Sequence, residues 1–200
     1  QFIVNPDRYL DTGIFLDHRN VRREIANAAK GARFLNLFAY TATATVYAAK
    51  AGARSSVSVD MSKTYSNWAR RNFGLNDLSL SQHQVVTANC LEWLEEHRQQ
   101  YDVILLDPPS FSNSTRMEKT LDIQRDHVDL IRQTMKLLAA SGTLYFSCNR
   151  RGFKLEEQIS SSFRSEDITA RTLPPDFKQK GVAHKCWKLT HLRDNDKLSC

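Results

Sequence analysis

The 200-residue chain has only four cysteines, Cys90, Cys148, Cys186 and Cys200, and no two form a CxxC pair. Thiols so scattered build neither a disulfide framework nor a zinc site, so no metal is expected and a reducing, cytoplasmic compartment is. No run approaches the roughly 18 to 20 apolar residues of a membrane span. No signal peptide is visible, because Phe2-Ile3-Val4 is too short for its apolar core. Repeats and low-complexity stretches are missing as well. The chain starts at Gln1 rather than Met, which reads as a piece of a longer polypeptide.

What remains is the composition of one globular domain, 41% hydrophobic and 25% charged. Lys and Arg exceed Asp and Glu by 28 − 22 = 6, and the isoelectric point is near 9.2. That excess allows a polyanionic partner without requiring one.

Alternating strand and helix patterns point to an α/β fold. Residues 33–38, 55–60, 84–87, 101–107 and 143–147 read as strands, with 168–173 and 186–190 as two more. Helices are predicted from Asp17 to Gly31 and over 43–51, 63–75, 91–99, 122–138 and 155–163. On the first, Val21, Ile25, Ala28 and Ala29 form the apolar face, while Arg19, Arg22, Arg23 and Lys30 fall mostly on the solvated side. Ser141-Gly142 reads as a turn and Pro174-Pro175 as the start of a loop.

The chain is organised around residues 101–111, Tyr-Asp-Val-Ile-Leu-Leu-Asp-Pro-Pro-Ser-Phe. Proline cannot donate to a sheet ladder, so the strand stops at Asp107. Its carboxylate is left at the carboxyl end of a buried strand, where open α/β sheets place ligands. Two fixed φ angles stiffen the loop, which can then hold a flat polar group such as a nucleobase; the plainer alternative is a strand end with a proline turn. After the first strand, Tyr40-Thr41-Ala42-Thr43 would bring backbone N–H groups and a helix N-terminus to a carboxylate or phosphate. Asp60 ends the second strand twenty positions after Tyr40. Rossmann-like folds place there a carboxylate that accepts ribose hydroxyls. Asp17 is either a helix N-cap or, with Arg19, a residue at a pocket mouth.

Four segments occur in order: Asn36-Leu37-Phe38-Ala39-Tyr40-Thr41, Asp60-Met61-Ser62, Leu106-Asp107-Pro108-Pro109-Ser110-Phe111 and Phe146-Ser147-Cys148-Asn149. Together they resemble class I S-adenosylmethionine-dependent RNA methyltransferases. More narrowly, Tyr9-Leu10-Asp11-Thr12-Gly13-Ile14-Phe15-Leu16-Asp17-His18-Arg19, Phe111-Ser112-Asn113-Ser114, Gln124-Arg125-Asp126-His127 and Arg151-Gly152-Phe153 are similar to one group. This is the C-terminal half of bacterial bifunctional large-subunit ribosomal RNA methyltransferases, the half that methylates guanine N7. The resemblance runs from about Tyr9 to Leu189. It implies a Rossmann-like, seven-stranded, mostly parallel sheet with the last strand antiparallel and helices on both faces. It implies a lead-in over residues 1–17, a methyltransferase domain over 18–200, and a second methyltransferase half fused N-terminally. S-adenosylmethionine would be the donor, S-adenosylhomocysteine the product and 23S ribosomal RNA the substrate.

Residue by residue, the resemblance implies Phe38, Tyr40 and Thr41 under the methionine end and Asp60 on the ribose. It implies Asn89 on the adenine, with Met61 or Cys90 near its ring. Asp17 and Arg19 would close over the amino-acid moiety, Arg19 pairing with its carboxylate. Asp107, Pro108 and Phe111 would meet donor and base, Phe111 stacking on a flipped base. Arg116, Lys119, Arg125, Arg150 and Arg151 are candidate phosphate contacts, with plain surface charge as the alternative for each. Two positions depart from the family. Glycine is usual at Ala42, whose methyl group would obstruct close approach or demand φ below zero. Aspartate is usual at Asn89, whose amide oxygen can still accept the adenine's bond.

Guanine N7 has a free lone pair and no hydrogen, so its methylation needs alignment and no general base. Cytosine C5, the alternative, needs a cysteine thiolate added at C6, and Cys148 is the candidate. The neighbours Asn149-Arg150-Arg151-Gly152-Phe153 favour guanine. A third reading is a catalytically weak RNA-binding module, with Ala42 and Asn89 as marks of decay.

Overall fold

The computed structural model describes residues 1–7, 12–112, 120–178 and 184–192. Seven strands form one sheet: β1 (Arg33–Leu37), β2 (Ser55–Asp60), β3 (His83–Thr87), β4 (Tyr101–Leu106), β5 (Leu138–Cys148), β6 (Arg164–Asp167) and β7 (Lys185–Thr190). Their order is β3-β2-β1-β4-β5-β7-β6. β1 to β5 pair in parallel, and β7 runs antiparallel between β5 and β6. The chain winds outward from β1 to β3, then returns to β4 on the other side of β1. The crevice above β1 and β4 is therefore a topological switch point, where such sheets bind ligands.

Strands buried on both faces explain the continuous apolar runs. Leu35, Leu37, Ile104 and Leu106 pack with Leu94, Leu130, Ile131 and Met135, under α4 (Cys90–Glu96) and α5 (Ile123–Lys136). Phe34, Val103 and Leu105 alternate to the other face, against Val21, Ile25, Ala44 and Ala48 of α1 (Arg19–Ala28) and α2 (Thr43–Lys50). Buried Asn36 donates to Thr45 Oγ1 (3.0 Å), which lies 2.8 Å from Ser58 Oγ. This polar chain pins α2 across β1 and β2.

An N-terminal strap lies along α3 (Lys63–Gly74). Trp68 Nε1–H donates to Ile3 C=O (3.1 Å), and Ile3 N–H donates to Asn72 Oδ1 (3.0 Å). Asn72 Nδ2 also reaches Thr41 C=O at 3.0 Å. Gly13 lies so close to Trp68 that a Cβ would sit 2.3 Å from its ring.

Four expectations change. The strand expected at 168–173 is instead the helical turn α7 (Thr169–Thr172), and the strand lies earlier, at β6. Asp167 Oδ1 accepts Thr169 N–H (2.8 Å), a local bond that starts the turn. Ser141-Gly142 does not break β5. It sits where the β4 register shifts, and a Cβ on Gly142 would lie 2.9 Å from Asp102 C=O. Pro175–Lys178 forms one further turn, α8, with proline at its start. Arg22 is buried instead of solvated. The last helices are α6 (Glu157–Ser162) and those two single turns. Phe111–Ser112 and Leu121–Asp122 pair as a short antiparallel ribbon. Among the described residues no helix is long and apolar enough to cross a membrane.

Candidate active site

A cavity of about 550 Å³ opens above the carboxyl ends of β1, β2 and β4. Its floor is the turn after β1. Phe38, Tyr40 and Ala42 take φ of +57°, +51° and +55°, a conformation costing about 1–2 kcal/mol for each non-glycine residue. Neighbouring strand ends hold it there. Phe38 N–H donates to Cys90 Sγ (3.3 Å), Ala39 N–H to Val59 C=O (3.0 Å) and Tyr40 N–H to Asp60 Oδ2 (2.8 Å). Ala42 thus departs from the expectation of a negative φ. Its methyl group packs with Val46, Ala69 and Phe73 and does not line the cavity.

Asp60 Oδ1 accepts Ser62 N–H at 2.8 Å. Each carboxylate oxygen is therefore fixed by one backbone donor and keeps an acceptor site. Burial pushes the Asp60 carboxyl pKa up, and the two N–H bonds offset only part of that rise. Met61, Asn89 and Cys90 continue the wall, with Tyr40 and Tyr65 edge to face at 4.5 Å. Asn89 caps α4: its oxygen accepts Leu91 N–H (3.1 Å) and its amide donates to Glu92 (2.7 Å). One acceptor site remains on that oxygen. The buried Cys90 thiol donates to Val59 C=O (3.4 Å), and burial pushes its pKa up.

Asp107, Pro108 and Pro109 form the facing wall, beside Ser112, Leu121 and Asn149. His18 Nδ1 lies 3.4 Å from Asp107 Oδ2, and its Nε2 lies 2.9 Å from Ser147 Oγ. Behind it, His184 reaches Asp17 (3.1 Å) and Thr172 (3.2 Å). Asp17, His18 and His184 bring their ligating atoms within 4.8 Å of one another. All four ring nitrogens already have protein partners, so this is a hydrogen-bonded cluster. Burial raises the Asp17 pKa, but the His184 bond and both imidazoles outweigh it and hold it low.

Of the sequence-selected residues, Asp17, Phe38, Tyr40, Asp60, Met61, Asn89, Cys90, Asp107 and Pro108 line this cavity. Arg19 does not; its guanidinium pairs with Asp176 on α8. Thr41 is buried behind the floor, its hydroxyl donating to Gly13 C=O (2.7 Å). Phe111 is 57% exposed on the ribbon, outside the lining. Arg125 is paired with Asp126, Arg150 with Asp122, and Arg151 is exposed. Arg116 and Lys119, like Tyr9, Leu10 and Asp11, lie outside the described residues. Cys148 is fully buried, does not line the cavity, and burial raises its pKa.

Phe15, His18, Tyr65, Asn149 and Phe177 also line the cavity. Phe15, His18 and Asn149 stood inside the motif segments. Tyr65 follows Asp60 by little more than one helical turn. Phe177 had no sequence signal, because α8 brings it back from far along the chain.

A switch-point cavity with an acid at the second strand's end and an Asp-Pro-Pro corner at the fourth defines a Rossmann-like methyltransferase. The chain belongs to the S-adenosylmethionine-dependent methyltransferase family, whose profile matches residues 1–183. It is 58% identical over 188 residues to a ribosomal RNA large subunit methyltransferase K/L of Cellvibrio japonicus, covering 94% of this chain and 25% of that protein. It is 51% identical over 199 residues to the protein of that name in Acinetobacter baylyi, covering 98% and 27%. The chain thus spans about a quarter of the length of these curated relatives. Among solved structures, SMU.776 complexed with SAH superposes with a TM-score of 0.80 at 30% identity, covering 93% of this chain and 52% of that one. The site residues fit the family's cofactor. The cavity has the volume of a small-molecule site, Asp60 is preset to accept hydroxyls, and aromatic rings wall it.

Proposed function

We propose that this chain methylates large-subunit ribosomal RNA, on guanine N7, as the C-terminal part of a longer protein with a second methyltransferase half. Residues 1–17 would be its lead-in and 18–200 its transferase domain, acting in the cytoplasm where its RNA is made. The observation that carries the reading is one cavity sharing two walls. Asp60, Met61 and Asn89 stand on the nucleoside side, and Asp107, Pro108, Pro109 and Asn149 on the other.

S-adenosylmethionine supplies an electrophilic methyl group on a sulfonium. The protein's part is placement. Asp60 holds the ribose hydroxyls, and Asn89 accepts from the adenine amine. Pro108 and Pro109 fix the corner that would orient the base, N7 toward the donor's side of the cavity. No proton leaves N7, so no base is required of Asp107. Its carboxylate, steadied by His18, stabilises the positive charge that moves onto guanine. Phe111, exposed beside the mouth, stacks on the flipped base. Arg151 contacts phosphate directly; Arg125 and Arg150 do so after exchanging their carboxylate partners.

Burial of Cys148 weighs against cytosine, because a nucleophilic cysteine needs its thiolate favoured. The test is base-resolved mapping of methyl groups on ribosomal RNA from a deletion strain, treated with the purified full-length protein. A new 7-methylguanine that persists with Cys148→Ala, at a rate within about threefold, is expected. A 5-methylcytosine lost with Cys148→Ala would overturn the reading.

A further inference from the structure

α1 carries a cation where a solvated one was expected. Arg22 is only 3% exposed. Its Nη1 donates to Phe15 C=O (2.7 Å), and the guanidinium lies 5.4 Å from the Tyr47 ring centre. Its Nε–H is buried without any hydrogen-bond partner. Among the described residues it forms no ion pair with a carboxylate. Arginine stays charged inside proteins, and a buried charge left unpaired is strongly unfavourable. Asp17 acts on the guanidinium only at a distance, and Asp107, though it lines the same cavity, forms no ion pair with it, so a direct anionic partner is missing.

Arg22 lines a small inner cavity of about 40 Å³ that shares Phe15, His18, Phe38, Tyr40 and Asp107 with the large one. A single water needs roughly 10–15 Å³ by such a measure, so a group of a few heavy atoms fits and a ring does not. Thr43 and Ala44, in the first turn of α2, line it too, adding the positive end of a helix. The chamber lies on the β1-turn side, away from Asn89 and Met61.

We propose that Arg22 is the anion receptor of the cofactor site, its guanidinium taking the carboxylate at the amino-acid end of S-adenosylmethionine in this inner cavity. The assignment rests on the cofactor reading. It moves the role expected of Arg19, which is committed to Asp176, to a residue three positions on. The carboxylate is the cofactor's only anionic group. Its ammonium neighbour meets Asp107, which lines both cavities, so a zwitterion finds an arginine and an aspartate together.

The experiment compares S-adenosylhomocysteine with its decarboxylated analogue by calorimetry, on the wild-type protein, Arg22→Gln and Arg22→Lys. Removing the ligand carboxylate is expected to weaken wild-type binding about 10- to 100-fold, the range for a lost charge-assisted bond. With Arg22→Gln the two ligands should bind within about threefold of each other, and Arg22→Lys should keep part of the difference. A readout needing no variant is the Arg22 Nε–H resonance of ¹⁵N-labelled wild-type protein. It should shift with S-adenosylhomocysteine and stay in place with the analogue, which decides the matter even if Arg22→Gln does not fold. Equal wild-type affinity for both ligands, full discrimination retained by Arg22→Gln, or an unmoved resonance would each overturn the assignment and leave the cofactor reading standing. A wild-type protein that binds neither ligand overturns both.

Discussion

Asp60 fastens the floor turn through Tyr40 N–H and Ser62 N–H while offering both oxygens to the cavity. Replacing it should therefore act on ligand and floor turn together. Asp60→Ala is expected to weaken S-adenosylhomocysteine binding by about 10- to 100-fold in calorimetry, the loss of one charged acceptor. The variant should still melt cooperatively, since the Phe38 and Ala39 N–H bonds of the turn remain, with Tm lowered by the two backbone donors left unpaired. Unchanged affinity would remove Asp60 from the site. Asp107 was legible because it follows an apolar run that must be a strand, Asp60 because it ends a strand twenty positions after Tyr40, and Asn89 through the family resemblance. Arg22 was not, because helical spacing alone put it on the polar face. Only the packing of α1 against Phe15 and Tyr47 turns it inward.

At the other end of the sheet, β1 and β4 are clasped by side chains. Arg33 donates its backbone N–H (2.8 Å) and Nε (3.0 Å) to Asp102 Oδ2, and its Nη2 (2.7 Å) to Oδ1. The Arg33 bonds hold the Asp102 carboxyl below its usual range despite some burial. A lowered folded value means the stabilisation is present above about pH 4 and is lost as pH falls through that lowered value. Asp102→Asn should cost about 1 kcal/mol at neutral pH, after discounting for solvent screening of a partly exposed pair. In urea melts the gap to wild type should close in acid; a gap independent of pH would contradict the ion pair. β1 and β4 were readable as near-continuous apolar runs, and β2 and β3 as short valine-bearing segments between helices. β6, with Arg164, Glu166 and Asp167 exposed, is an edge strand with no hydrophobic pattern. The more apolar stretch after it was read as the strand instead.

The whole molecule carries a net charge of +6, yet several of its arginines are already paired with acids. RNA affinity is expected to fall with salt at a slope of roughly −0.7 per phosphate contact. Arg151→Ala should make that slope shallower by about 0.7, measured by filter binding across a salt series. An unaltered slope would take Arg151 out of the RNA path. The α/β class followed from strand–helix alternation, and the seven-stranded, mostly parallel sheet with its antiparallel last strand from the family resemblance. The site's closure did not, because it joins residues far apart in sequence: Asp17 to His184, and Arg19 to Asp176.

The strap along α3 has a practical corollary. Trp68 is held by Ile3 C=O, and the next turn's Asn72 grips both Ile3 and Thr41 behind the cavity floor. The indole is thus a native fluorophore wired to the cofactor turn through two side-chain links. With Trp93 and Trp187, the other two tryptophans, replaced by phenylalanine, its emission is expected to shift as the pocket fills, so that the chain signals its own ligand without any dye attached.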